Sequence, residues 1–159
     1  MPIRTVVLTI SDSRSRRPAA DRGGPAVIDQ LPHLDGHLVH RDIIPDQIDA
    51  IRPAVQAWLT RSDLILTTGG TGVAPRDVTP EALAPLIDRP LPCFGELMRL
   101  HAFDANPLTI ASRSGAGVSG STLIVWLPGS PRAARECLTW LAPAIKHVCQ
   151  LLRGEVAGH

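Results

Sequence analysis

The chain has 159 residues, of which 44% are hydrophobic and 19% charged, with a formal net charge of +1. This length favours one domain over residues 1–159, and the near-neutral charge gives no electrostatic reason to expect nucleic acid or an acidic membrane as partner. The sequence shows no signal-peptide pattern and no run of ~18 apolar residues, so the chain is expected to be cytoplasmic and outside the membrane. Its cysteines lack zinc-ligand spacing and are expected to be reduced thiols.

Short β-branched runs alternate with helical stretches along the first half of the chain. Thr5–Ile10 predicts a buried strand, and a loop rich in Arg, Pro and Gly follows it. The next predicted elements, in order, are a helix at 25–31, a strand at 38–44, a helix at 46–61 and a strand at 64–68. The helix at 46–61 is predicted because its apolar residues recur at helical spacing.

The second half continues the alternation. After a loop at 69–78, the pattern predicts helices at 80–88 and 94–103, a short strand at 108–112, a loop or turn at 114–121, a strand at 123–127 and a long helix at 131–152. Strands that alternate with helices predict an α/β fold, with a parallel sheet covered on both faces. In such sheets the ligand lies outside the carboxyl ends of the strands.

The glycine-rich loop after the third strand is the most distinctive of these strand ends. Its sequence, TTGGTG at 67–72, lets the backbone approach a ligand closely. The loop leads to Thr79 as a predicted N-cap and Pro80 at the first helical position, an arrangement typical of an anion site. The alternative is a plain tight turn. No Walker A or GxGxxG pattern is present. A side chain at Gly70 is expected to block the ligand and leave the fold intact.

Two aspartates follow successive strands. Asp46 comes directly after the strand at 38–44, and Asp77 ends the glycine-rich loop. Because carboxylates beside anion-binding amides suit Mg²⁺, which commonly takes one or two carboxylates plus phosphate and water, the pair predicts a magnesium site. The alternative for Asp46 is an N-cap of the helix that follows it.

Three further segments carry polar groups at strand ends. Ser11-Asp12-Ser13-Arg14 would orient a polar ligand, or would form a solvated loop. Arg113 would bind a phosphate through two hydrogen bonds, or would be a solvated loop arginine. Ser130 is predicted to cap the helix that begins at Pro131.

Motifs in the same order over residues 4–150 resemble the MoaB/Mog group of molybdenum-cofactor biosynthesis proteins, which includes the G domain of gephyrin and its plant counterparts. The motifs are Ser11-Asp12 with Asp21, Ile44-Pro45-Asp46, Thr67–Gly72 with Arg76–Glu81, Phe94–Leu97, Ser112-Arg113 and Leu127–Pro131. The Gly-Ser-Pro form at 129–131, together with Gly36-His37, favours the MoaB branch. The chain departs from the family pattern at Cys93, Arg16-Arg17-Pro18 and Asn106-Pro107.

The resemblance implies a three-layer αβα sandwich with a mostly parallel sheet, assembled as a homotrimer or hexamer. It also implies transfer of AMP from Mg-ATP to the terminal phosphate of molybdopterin, releasing pyrophosphate, with other molybdenum-cofactor enzymes as candidate partners. Carried over by motif, Asp46 and Asp77 are the catalytic and Mg²⁺-binding residues. The substrate- and nucleotide-binding residues are Ser11, Asp12, Gly69, Gly70, Thr71, Gly72, Arg76, Glu96, Ser112, Arg113, Gly129 and Ser130.

Two other functions remain open at this point. One is a molybdopterin-binding or scaffold paralogue with weak or no catalysis, against which the retained Asp46 and Asp77 count. The other is an unrelated nucleotide-binding regulator, which the absence of GxGxxG disfavours. An assay for AMP transfer from ATP to molybdopterin discriminates among the three.

Overall fold

A computed structural model describes residues 1–155, which fold around one six-stranded sheet. Its strands are β1 (Ile3–Ile10), β2 (Gly36–Ile44), β3 (Leu64–Thr68), β4 (Arg89–Pro90), β5 (Gly115–Ser119) and β6 (Thr122–Leu127), in the spatial order β2-β1-β3-β6-β5-β4. The first four strands of that order are parallel, and β5 runs antiparallel to both of its neighbours.

Helices cover both faces of this sheet. They are α1 (Asp12–Arg16), α2 (Gly23–Ile28), α3 (Ile48–Gln56), α4 (Thr79–Leu83), α5 (Pro92–Phe103) and α6 (Pro131–Leu152). One hydrophobic cluster joins the sheet to α2, α5 and α6, and a second joins the opposite face to α3 and α4. The three-layer αβα sandwich predicted from the sequence is therefore confirmed. No helix within residues 1–155 has the length and apolarity of a membrane span.

The central strands and the last helix follow the predicted patterns closely. Every residue of β3 is buried, as are all but one of β1, because helices lie on both faces. Helix α6 buries one stripe of side chains against the sheet. The Oγ of Ser130 accepts a hydrogen bond from the N–H of Ala133 (3.4 Å), which confirms the predicted cap.

The glycine-rich stretch predicted as a loop at 114–121 contains strand β5, so that prediction is wrong. Glycine is unfavourable in strands, but neighbouring side chains here pack directly on the backbone. A Cβ added at Gly115 would lie 2.8 Å from the ring of Trp126, and one at Gly117 would lie 2.5 Å from Ile87. Close packing, and not strand propensity, therefore sets the composition of β5.

Several predicted element bounds also needed correction. Residues 108–112 form no strand, because Pro107–Ala111 is a 3₁₀ helix. The helix predicted at 46–61 spans only Ile48–Gln56, since the N–H of Trp58 donates three residues back, to Val55. The helices predicted at 25–31 and 80–88 are the shorter α2 and α4, each followed by 3₁₀ turns.

The turn that leaves β3 is built on two glycines with positive φ, Gly69 (φ +106°) and Gly70 (φ +66°). A Cβ at Gly69 would overlap the carbonyl oxygen of Ile10, at the end of β1. One at Gly70 would overlap Oγ1 of Thr79 and lie 3.2 Å from the carboxylate of Asp46. A side chain at position 70 would therefore strain the backbone as well as block a ligand, which counts against the expectation that the fold would stay intact.

Thr79 closes this turn and is not the predicted N-cap. It is the first residue of α4, the cap position belongs to Val78, and no side chain caps the helix. Its Oγ1 donates to the carbonyl of Gly69 (2.9 Å), and its N–H donates to the carbonyl of Gly70 (3.1 Å). The buried hydroxyl therefore joins both ends of the glycine-rich loop.

A partly buried ion cluster at the opposite edge of the sheet joins β1 to the residue that follows α6. The carboxylate of Asp63 accepts from Arg4 (2.9 Å) and Arg153 (2.6 Å), and Arg153 also donates to the carbonyls of Met1 and Pro2. Burial alone would raise the pKa of Asp63, but the hydrogen bonds from the two arginines outweigh it and hold that pKa far below its usual range.

We predict that Gly70→Ala lowers the free energy of unfolding by more than about 3 kcal/mol or prevents folding, because backbone strain and the overlap with Thr79 add. Gly120→Ala is the matched control: Gly120 also has positive φ (+57°), but nothing lies within 4 Å of an added Cβ. It should lose only about 1 kcal/mol in urea unfolding. Equal losses for the two variants would contradict the overlap.

We predict that Asp63→Asn lowers the free energy of unfolding by about 2–3 kcal/mol at pH 7, less than for a fully buried pair because Arg4 is half exposed. Because the pKa of Asp63 is lower in the folded state, its ionised carboxylate stabilises the fold at pH values above the unfolded pKa of ~3.9. This stabilisation is lost as the pH falls towards the folded pKa. Urea titrations from pH 7 to 2 should therefore show a constant difference above about pH 5, which narrows as the pH falls below ~3.9. Asp29→Asn, at an exposed ion pair, is the control and should change little. A pH-independent difference would contradict the linkage.

Candidate functional site

A cavity of about 390 Å³ lies at the carboxyl edge of the sheet, where the segments after β1, β2, β3 and β6 converge. The chain leaves β1 towards β2 on one side and returns to β3 on the other, so this is a topological switch point, where open α/β sheets bind ligands. The predicted site residues that line it are Ser11, Asp12, Asp46, Gly69, Gly70, Arg76, Asp77 and Gly129.

Six predicted binding residues do not line this cavity. Thr71, Gly72 and Ser130 are adjacent in sequence to residues that do, or to their neighbours. The other three, Glu96, Ser112 and Arg113, line a separate depression that also contains Arg99 and Trp126. Direct contact of these six residues with a ligand stays a prediction.

Asp12 and Asp46 are bound to each other by two reciprocal hydrogen bonds. The N–H of Asp12 donates to Oδ2 of Asp46 (2.8 Å), and the N–H of Asp46 donates to Oδ1 of Asp12 (3.0 Å). Asp46 is therefore not the predicted N-cap of α3, a position held by Gln47. The pair fixes the loops after β1 and β2 side by side, with both carboxylates at the cavity.

The surroundings of Asp46 disfavour the charge of its carboxylate. The pKa of Asp46 is raised mainly by partial burial and further by the negative charges of Asp12 and Asp77, although the N–H of Asp12 and the charge of Arg76 act in the opposite direction. A raised pKa means that the ionised carboxylate costs folding free energy at neutral pH. A bound cation would relieve that cost.

Asp46 and Asp77 fit the predicted magnesium site as a pair. Each carboxylate has one oxygen fixed by a backbone N–H, from Asp12 and from Ala74 (3.0 Å), and one oxygen outside the hydrogen bonds of the described residues. No group of three or more His, Cys, Asp or Glu side chains in residues 1–155 is arranged to hold a metal. Two carboxylates, with phosphate oxygens and water, are what Mg²⁺ commonly uses.

Three arginines supply positive charge at the same cavity, Arg14, Arg22 and Arg76. Arg22 was missed at the sequence level, where it lies in a loop crowded with arginines. Its position just before the Gly-Gly-Pro start of α2 was the only available signal. Together with the backbone N–H of Gly70, which no hydrogen bond within residues 1–155 uses, these groups suit an anionic ligand.

Asp21 is a second residue that sequence reasoning left without a role. Its buried carboxylate accepts from Oγ1 of Thr9 (3.0 Å), from the guanidinium of Arg41 (2.8 Å) and from the N–H groups of Gly23 and Gly24 (3.1 and 3.2 Å). These bonds fix the start of α2 against β1 at the edge of the cavity.

The guanidinium of Arg113 is occupied by the glycine-rich loop. Its Nε donates to the carbonyl of Gly72 (2.9 Å), its Nη2 donates to the carbonyl of Asp77 (2.7 Å), and its Nη1 is ion-paired with Glu81. The pKa of Glu81 is lowered mainly by this hydrogen bond. Arg113 thus spans the loop on which Asp77 is carried.

Known proteins resemble this chain over nearly its full length. The chain is 39% identical over 152 residues to a molybdopterin adenylyltransferase of Helicobacter pylori strain J99, covering 93% of this chain and 86% of that protein. It is 36% identical to the molybdenum cofactor synthesis protein cinnamon of Drosophila melanogaster, covering 95% of this chain but spanning only 26% of that longer protein.

A solved structure confirms the relation. The crystal structure of the molybdopterin biosynthesis enzyme MoaB from Thermus thermophilus superposes with a TM-score of 0.89 at 41% identity, covering 96% of this chain and 97% of that one. The family model described as "Probable molybdopterin binding domain" matches residues 6–147. The chain therefore belongs to the molybdopterin-binding domain family of molybdenum-cofactor biosynthesis.

Proposed function

We propose that this protein binds molybdopterin and Mg-ATP at the cavity beside Gly69 and Gly70 and transfers AMP to the terminal phosphate of molybdopterin. The observation that carries the proposal is the joint presence of Asp46, Asp77 and a glycine turn in one cavity. The support from relatives is the Helicobacter pylori protein named molybdopterin adenylyltransferase, which aligns with 93% of the chain.

The reaction exchanges one phosphoanhydride for another. An oxygen of the molybdopterin phosphate forms a bond to the α-phosphorus of ATP, the bond from that phosphorus to the bridging oxygen breaks, and pyrophosphate leaves with the electron pair. No atom is oxidised or reduced. Such transfers need alignment and charge neutralisation, with little covalent chemistry from the protein. The cavity accordingly needs no nucleophilic serine or cysteine.

Each group at the cavity has a distinct part in this proposal. The free N–H of Gly70 and the three rim arginines bind phosphate oxygens and offset the charge of two anionic substrates. Asp46 and Asp77 would hold the Mg²⁺ that enters with ATP. When bound, that ion would neutralise phosphate charge. The reciprocal bonds of Asp12 keep Asp46 aimed at the cavity.

A scaffold that binds molybdopterin without catalysis is the second candidate. The same amides and arginines would serve a binding protein equally well. The observation against it is the presence of the Asp46 and Asp77 carboxylates in the same cavity, because negative charges oppose phosphate binding unless a cation lies between them.

We further propose a cytoplasmic homo-oligomer, a trimer or a hexamer, with other enzymes of molybdenum-cofactor assembly as partners. Support for assembly comes from exposed apolar side chains on α5 and the 3₁₀ helix after it. Leu100 is 72%, Leu108 80% and Ile110 69% exposed. Exposed apolar side chains that occur together in this way are typical of a protein–protein contact surface.

We predict that Asp77→Asn folds normally and loses AMP transfer at least about tenfold, equivalent to roughly 1.4 kcal/mol of transition-state stabilisation. The asparagine oxygen still accepts from Ala74, so the loop is kept while the charge is lost. Asp46→Asn should also lose activity, but its melting temperature should hold or rise, since it removes a charge that the fold disfavours at neutral pH.

Asp49→Asn, an exposed first-turn residue of α3 outside the cavity, is the matched control and should retain activity. Rates are measured as AMP transferred from ATP to purified molybdopterin over a range of Mg²⁺ concentrations. Wild-type rates in Asp77→Asn would refute the proposed role of that residue. Tight molybdopterin binding by wild-type protein that never forms the adenylate would establish the scaffold function instead.

We predict that sedimentation velocity at micromolar concentration gives a mass equal to a multiple of three chains of 17.0 kDa. Charged substitutions at Leu108 and Ile110 should dissociate the assembly, because they would bury unpaired charge. Leu151→Asp, at an exposed leucine on α6, is the control. A monomer in the wild-type protein would contradict the assembly.

A further inference from the structure

Arg113 is fixed at every polar group of its backbone and on three nitrogens of its side chain. Its N–H donates to the carbonyl of Thr71 (2.8 Å), and its carbonyl accepts from Nε1 of Trp126 in β6 (2.8 Å). Its guanidinium then reaches Gly72, Asp77 and Glu81. One residue thus connects the sheet to the middle and the end of the glycine-rich loop and to α4.

We propose that Arg113 is a positioning residue, which holds the loop at 69–78 so that the Asp77 carboxylate faces the cavity, and which does not contact phosphate itself. The role assigned to Asp77 rests on the function proposed above. The family pattern places Arg113 near the ligand cleft, where a guanidinium would be expected to bind phosphate. The present geometry points to a different use for it.

The hydrogen-bond acceptors argue for positioning. Two are backbone carbonyls of the loop, at Gly72 and at Asp77, which lie 2.9 and 2.7 Å from Nε and Nη2. A phosphate would have to compete with both, and moving the guanidinium would leave the carbonyls of Gly72 and Asp77 without these donors. Arg113 lines a separate depression and not the cavity that contains Asp77.

The planar fork of arginine is needed for this arrangement. Nε and Nη2 lie on one edge of the guanidinium and donate in parallel to two acceptors, while Nη1 points to Glu81. A lysine ammonium is a single point donor and is unable to span the same three groups. Lysine would still attract a phosphate, so it distinguishes positioning from direct binding.

The loop contains its own reporters of order. Within it, the N–H of Ala74 donates to Oδ2 of Asp77, the N–H of Asp77 donates to the carbonyl of Ala74, and the N–H of Thr79 donates to Gly70. These three amides exchange slowly only while the loop is closed. Their exchange can be measured without any substrate, so it reports on positioning whether or not the protein transfers AMP.

The first experiment compares amide hydrogen exchange in ligand-free wild type, Arg113→Lys, Arg113→Met and Arg135→Met. We expect both Arg113 variants to accelerate exchange at Ala74, Asp77 and Thr79 by at least about tenfold, with β1 and α6 unchanged. Arg135→Met, at an exposed ion pair with Asp29, should match wild type throughout. Wild-type protection of the loop in Arg113→Lys would overturn the proposal.

The second experiment measures AMP transfer by the same variants. Positioning predicts that kcat falls at least about tenfold in Arg113→Lys, while KM for ATP changes less than about threefold. A raised KM with unchanged kcat would indicate direct phosphate binding and overturn the proposal. If wild type itself transfers no AMP, the proposed function fails, and the exchange data still decide whether Arg113 orders the loop.

Glu81→Gln is a milder variant, which keeps the proposal testable if the Arg113 variants fail to fold. It removes the charge of the ion pair but leaves both carbonyl bonds of Arg113, so loop exchange and kcat should change less than about threefold. Adding Glu81→Gln to Arg113→Met should be no worse than Arg113→Met alone, because Glu81 acts on the loop through its ion pair with Arg113. Fully additive effects of the two substitutions would overturn the proposal that Glu81 acts on the loop through Arg113.

Discussion

The candidate site depends on a backbone turn that leaves no room for a Cβ. At Gly69 the chain passes against the carbonyl of Ile10, and at Gly70 it passes against the hydroxyl of Thr79 and the carboxylate of Asp46. Because the ends of β1, β2 and α4 meet at this turn, groups far apart in sequence reach one cavity. The positive φ values fix the direction of the turn, and Thr79 fixes its closure.

A buried or partly buried aspartate at each edge of the sheet has its pKa shifted, and the two shifts have opposite directions. At the amino edge, two arginines surround Asp63, and its pKa falls. At the carboxyl edge, partial burial and, to a smaller extent, two nearby carboxylates raise the pKa of Asp46. The first arrangement stabilises the fold at neutral pH and the second opposes it. A site that is electrostatically unfavourable when empty is suited to a cationic ligand, and the stability gained at the amino edge helps to offset its cost.

Sequence patterns predicted the layers and the sheet edge at which the candidate site lies, but not the partners of individual side chains. Buried strands such as β3 and the long helix α6 carry strong periodicity and a clear cap. Strand β5 has no such pattern, since its glycines are needed for close packing against the side chains of Trp126 and Ile87. Asp46 resembled a cap because a carboxylate before a helix usually accepts from that helix, whereas here the N–H of Asp12, 34 residues away, is the donor. Arg113 finds its carbonyl acceptors 41 and 36 residues back along the chain, beyond any local pattern.

Some arginines of the molecule are hydrogen-bonded to other residues and others are not, and this difference indicates where an anion could bind. Arg41, Arg113 and Arg153 each hold a carboxylate, and the last two also hold backbone carbonyls. By contrast, no hydrogen bond or ion pair within residues 1–155 engages the guanidinium groups of Arg14 and Arg22, which line the cavity. A guanidinium that is already paired has little left to offer a phosphate, whereas an unpaired one at a cavity rim retains its donors. Under the proposed function, Arg14 and Arg22 would therefore bind the anionic substrates, and the paired arginines would maintain the geometry of the cavity.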